Sequence, residues 1–98
     1  SMTRLSESQI KGSLKGLHGW RYRNNFITKA FEFKTFMAGI RFVNDIAAIA
    51  ERLEHHPDFH IRWTTIKLSV QSHDEGGVTS RDFRLATEIE KFLHRKTG

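Results

Sequence analysis

One proline stands in the whole sequence, at position 57, and it closes the longest periodic apolar run. From Thr35 onward Phe36, Ile40, Val43, Ala47 and Ala50 step by four and three residues, with Ile46 and Leu53 widening the stripe. That is the period of an amphipathic helix of about eighteen residues. The residue before a proline is pushed out of the α region, so this helix must end by His56. His55 is expected in its last turn and His56 in extended backbone, which would point the two rings different ways. The small residues Ala47, Ala48 and Ala50 let such a helix lie close to a sheet.

On both sides of this helix the period drops to two. Trp20-Arg21-Tyr22-Arg23 alternates aromatic and basic residues, Asn24-Asn25 is turn chemistry, and Phe26 to Phe33 reads as the returning strand. Beyond Pro57, His60 to Trp63 predicts a short strand that turns near Thr64-Thr65. Ile66, Leu68 and Val70 then alternate with Lys67, Ser69 and Gln71, a strand with one wet face. Capping-box forms at Ser6 to Gln9 and Thr79 to Asp82 predict two more helices. The first runs from about residue 6 to 16 and stops at Gly16 and Gly19. The last follows Thr79 and carries Phe83, Ala86, Ile89 and Leu93. The order is α-β-β-α-β-β-α. It predicts an α+β fold, a four-stranded antiparallel sheet with helices packed on one face and sheet edges open to another copy of the chain.

Composition narrows the function classes. Ninety-eight residues, 38% hydrophobic and 28% charged, describe one globular domain, expected over residues 3–98. Ser1-Met2 is read as a cloning remnant and start methionine. No apolar run approaches the ~20 residues of a membrane span and no signal peptide is visible, which points to a cytoplasmic protein. Cysteine is absent, so disulfides, thiolate metal sites and cysteine nucleophiles are excluded. The net charge of +5 divides into +6 over residues 1–41 and −1 over 42–98. With no dense Lys/Arg run, that front-half excess is read as a solvated face, and nucleic acid as an unlikely partner.

Glu54-His55-His56-Pro57-Asp58 and His73, at the end of the best strand, are the residues that carry chemistry. Imidazole titrates near pH 6.5 and exchanges protons at neutral pH better than any other side chain. A histidine at a helix C-terminus also serves simply as a dipole partner, and that reading stands beside the catalytic one. A zinc site drawing on the histidine pair, Asp58, His60 and His73 is disfavoured, because adjacent residues rarely turn onto one metal and no familiar ligand spacing is present.

One spacing pattern gives these residues a context. Glu51, His55-His56-Pro57, Trp63, His73 and Asp82 are separated by three, five, nine and eight positions. Gly19-Trp20, Phe31-Glu32-Phe33-Lys34 and Arg81-Asp82 extend it over about residues 4–95. In this pattern the chain resembles the pterin-4a-carbinolamine dehydratases, also known as the dimerisation cofactor of a homeodomain transcription factor. The resemblance implies removal of water from a 4a-hydroxytetrahydropterin to give quinonoid dihydropterin, in tetrahydrobiopterin recycling, with no metal or organic cofactor. It implies His55, His56 and His73 as catalytic residues lining the pterin pocket. His55 and His73 would transfer protons while His56 holds the pterin. Glu54, Ser72, Asp74 and Trp20 would complete the pocket, and Arg81 and Asp82 would orient a histidine or the substrate. It also implies a homodimer or homotetramer, and leaves room for a regulatory protein partner with a nuclear location. An interaction module with little dehydratase activity is the competing class.

Overall fold

The computed structural model describes residues 3–97; Ser1-Met2 and Gly98, the last residue of the expected domain, lie outside the described residues. Helix α1 spans Glu7–Leu14, strands β1 and β2 Arg21–Arg23 and Phe26–Glu32, and helix α2 Phe36–Leu53. Strands β3 (Asp58–Arg62) and β4 (Thr65–Val70) follow, then one turn of 3-10 helix at His73–Glu75 and helix α3, Ser80–Thr97. The strands form one antiparallel sheet in the order β1-β2-β4-β3. Both predicted hairpins are present, and β4 inserts between its own partner and β2. The reason is burial: Ile66, Leu68 and Val70 are all fully enclosed, so the best alternating strand takes a central place. Among the described residues no helix is long and apolar enough to cross a membrane.

Local chemistry sets the boundaries. The Ser6 hydroxyl accepts the Gln9 backbone N–H, and the Gln9 side chain accepts the Ser6 N–H in return, a complete capping box. Asn24 and Asn25 both take positive φ, 50° and 69°, which is the conformation a two-residue hairpin turn needs. Helix α2 buries Gly39, Phe42, Ile46, Ile49 and Ala50. Phe36 is 44% exposed, while Ile40, Val43 and Ala47 are only half-buried. The expected stripe is therefore real but centred about one residue round the helix. Gly39 explains the rotation, because a Cβ there would meet Ile66 Cδ1 at 3.3 Å and Phe33 Cδ2 at 3.5 Å. The helix backbone presses on β4 at its barest position.

The end of α2 differs from expectation. Leu53 is its last residue, and Glu54 takes the left-handed conformation, φ 53° and ψ 40°. The Glu54 N–H donates to the Glu51 carbonyl at 3.2 Å and the His55 N–H donates to the Ala50 carbonyl at 3.1 Å. This is a Schellman stop made with glutamate in place of glycine. His55, expected in the last turn, lies outside the helix, and the reversal happens before Pro57 is reached.

The core runs between the sheet and all three helices. Ile10 and Leu17 come from the α1 region, Ile27, Ile66, Leu68 and Val70 from the sheet, and Leu85, Ala86 and Ile89 from α3. Each fully buried aliphatic side chain here contributes on the order of 1.5–3 kcal/mol. Leu85 belongs to the centre of the α3 face, and Phe83, expected there, is half-buried at its margin.

Candidate functional site

The left-handed turn at Glu54 throws His55 and His56 off the helix axis onto the end of the sheet where β4 finishes. Glu54, His55, His56, Gln71, His73, Asp74 and Arg81 line one open cleft of about 320 Å³ there. Three chain segments meet at this point: the α2–β3 connection, the end of β4 with its 3-10 turn, and the first turn of α3.

Each wall has its own fixings. The His55 side chain is 11% exposed, and its Nε2 lies 2.6 Å from Oδ1 of Asp82, which is wholly buried. Asp82 is held in turn by the Ser72 hydroxyl at 3.0 Å and the Thr79 backbone N–H at 2.8 Å, both on Oδ2. The same Asp82 is the third residue of α3, so the cap that starts the helix also carries the histidine. His56 meets a different carboxylate, Glu51 on α2, and both are exposed. His73 is exposed at the 3-10 turn, its ring edge-on to Phe26 with centroids 6.3 Å apart. Arg81 donates to Asp74 at 2.6 Å across the mouth of the cleft. That hydrogen bond, reinforced by the guanidinium charge, holds the Asp74 carboxyl below the ordinary carboxylate range and the Arg81 guanidinium above its own.

The residues named from sequence separate into layers. His55, His56, His73, Glu54, Asp74 and Arg81 come together at the cleft. Ser72 and Asp82 lie behind it, 1% and 0% exposed, reaching it only through His55. Trp20 is not brought to this cleft: it is buried in the core, its Nε1–H donating to Glu90 Oε2 at 2.8 Å. Lys29 binds the same Glu90 oxygen at 2.7 Å and the His18 carbonyl at 3.0 Å, fixing the loop that carries Trp20. Two contributors had no role in the sequence reading of the site. Gln71 lines the cleft and donates to the Asn25 carbonyl at 2.9 Å. Thr79, expected only as a helix cap, joins the buried layer behind His55. The polar position that follows Val70 in the alternation was the available signal for Gln71.

Among the described residues no group of three His, Asp or Glu side chains is placed to hold a metal ion. His55 and His56 turn to different carboxylates, and Asp58 and His60 line a separate depression on the open face of the sheet. The largest cavity, about 690 Å³ between the end of α1 and α3, contains neither of these histidine–carboxylate pairs.

The sequence model of the family described as Pterin 4 alpha carbinolamine dehydratase matches residues 3–92. The chain belongs to that family. A relative from Roseiflexus sp. (strain RS-1), named "Putative pterin-4-alpha-carbinolamine dehydratase", is 44% identical over 91 residues, covering 93% of this chain and 98% of its own. A relative of the same name from Sulfolobus acidocaldarius is 42% identical over 88 residues, covering 90% and 97%. Among solved structures, a transcriptional coactivator/pterin dehydratase from Brucella melitensis superposes with a TM-score of 0.85 at 32% identity, covering 91% of this chain and 97% of that one. A pterin dehydratase-like RuBisCO assembly factor of the alpha-carboxysome shares the fold alone, at 19% identity and a TM-score of 0.63.

Proposed function

We propose that this protein dehydrates a pterin-4a-carbinolamine by histidine acid–base catalysis. The carrying observation is the cleft itself: three imidazoles meet at one opening, and one of them is clamped to a buried carboxylate. The reaction breaks the C4a–O bond, releases the hydroxyl as water, removes the N5 proton and leaves a C4a=N5 double bond. One group must give a proton to the departing oxygen and another must take one from N5. His55 and His73 suit these tasks because they come from different walls of the cleft and can address different atoms of one ring system. His56, tied to Glu51 at the rim, suits holding the pterin. Arg81 and Asp74 add paired donors and acceptors at the mouth. Family membership and the relatives' names support the same substrate class.

The test is a stopped-flow absorbance assay of carbinolamine dehydration. Wild type is expected to accelerate the reaction. His55→Ala and His73→Ala are each expected to lower kcat by about 10²–10⁴-fold while circular dichroism stays unchanged. Full activity in both variants would remove the proposal.

A homo-oligomer is also proposed. The outer edges of β1 and β3 are unpaired in the sheet, and Ile61 and Trp63 beside the β3 edge are 46% and 77% exposed. Sedimentation should give a mass above one chain, and Ile61→Glu should shift it toward the monomer.

A further inference from the structure

We infer that Asp82, held as an acceptor by Ser72 and Thr79 behind the cleft, decides which nitrogen of His55 reacts. The protons of the buried layer can be counted. The Ser72 Oγ lies 3.0 Å from Asp82 Oδ2 and 2.8 Å from Thr79 Oγ1, and it has one hydrogen. An ionised carboxylate only accepts, so that hydrogen goes to Asp82. Thr79 must then donate its own hydroxyl hydrogen to Ser72, and its oxygen remains free to accept the Arg81 backbone N–H at 3.2 Å. The Thr79 backbone N–H reaches the same Asp82 oxygen at 2.8 Å. Oδ2 thus receives two donors and carries no hydrogen of its own.

The remaining hydrogen bond, His55 Nε2 to Asp82 Oδ1 at 2.6 Å, therefore carries its proton on the imidazole. The neutral ring has its hydrogen on Nε2 and a bare Nδ1. Nδ1 is the atom left to take a proton from substrate, and Nε2 stays committed to Asp82 throughout. Ser72 and Thr79 are positioning residues in this scheme. Ser72 is 1% exposed and Thr79 0%, and neither lines the cleft. The chain of donors runs from the first turn of α3 through Thr79 and Ser72 to Asp82, and the ring donates to the same carboxylate from the other side.

Asp82→Asn makes a sharp prediction. The Thr79 backbone N–H demands an oxygen at the former Oδ2 position, so the new amide must present its NH₂ to His55. Nε2 is then forced to accept, and the ring hydrogen moves to Nδ1. A buried carboxamide of the wrong orientation locks the wrong tautomer, as in the serine-protease triad.

The experiment is ¹⁵N NMR of histidine-labelled protein with the imidazoles in their neutral form, which reads the tautomer without reference to activity. Wild type should show a protonated Nε2 and a bare Nδ1, and Asp82→Asn the reverse. The double variant Ser72→Ala/Thr79→Val keeps the Asp82 carboxylate and the backbone N–H at position 79, so it should keep the wild-type tautomer, as should Thr79→Ser. The kinetic arm rests on the dehydratase reading. There Asp82→Asn should lose about 10²–10⁴-fold in kcat and the double variant on the order of tenfold, with KM little changed in both. A wild-type ring carrying its hydrogen on Nδ1 would overturn the inference. A reversed tautomer in the double variant, where Asp82 remains, would also overturn it, and needs no folded Asp82→Asn. Wild type with the expected tautomer but no dehydratase activity would support the inference and count against the reaction.

Discussion

His55 and His56 are neighbours in sequence, and each places Nε2 against a carboxylate, yet they sit in opposite environments. The His55–Asp82 side chains are 11% and 0% exposed; the His56–Glu51 side chains are 61% and 76% exposed. Asp82 takes further hydrogen bonds from Ser72 and Thr79, while Glu51 is a surface residue of the helix the two histidines follow. An exposed ion pair gains little against water and salt, whereas a buried one cannot lose a partner without stranding the other. Burial and the number of secondary bonds, and not the pairing itself, separate a fixed ring from an adaptable one.

Three substitutions would break or sharpen that contrast. Asp82→Ala removes the acceptor for His55, Ser72 and Thr79 together, and should cost about 3–5 kcal/mol in urea unfolding. Glu51→Ala, on the exposed pair, should cost at most about 1 kcal/mol and leave kcat within a few-fold. Equal costs for the two variants would erase the distinction. The smallest effect belongs to the rim pair. Asp74 is held below its ordinary value by Arg81, so the unfolded chain binds its proton first as pH falls. Its contribution is present in full above about pH 4 and disappears as pH drops through the depressed native value. Asp74→Asn should therefore differ slightly from wild type in Tm at pH 6 and converge with it in acid. A gap that widens in acid would reverse this sign.

Much of this was legible in the sequence, for identifiable reasons. Period-2 and period-3.6 segments alternate cleanly, so element order and both hairpins followed from Ile66, Leu68 and Val70 and from the α2 stripe. Asn24-Asn25 announced its turn because asparagine tolerates positive φ. The early stop of α2 was hidden, since Glu54 in a left-handed conformation has no compositional signature and Pro57 marks only the outer limit. Depth was hidden too. Spacing brought Ser72 and Asp82 to the histidines, but nothing in it tells a residue facing a cleft from one packed behind it. Trp20 was expected at the pocket and lies in the core. Its partner, Glu90, lies seventy positions away, and only the folded chain brings the two together.

Asp82 has two obligations that the chain cannot meet separately. Its carboxylate completes the first turn of α3 through Thr79 and holds His55 through the other oxygen. Fraying of that helix end and release of the ring are one event. The cleft should thus open as a single cooperative unit, and amide exchange at Asp82 should report how often the His55 clamp is assembled. Most helix ends are the loosest part of a fold, and this one is tethered by the site it builds.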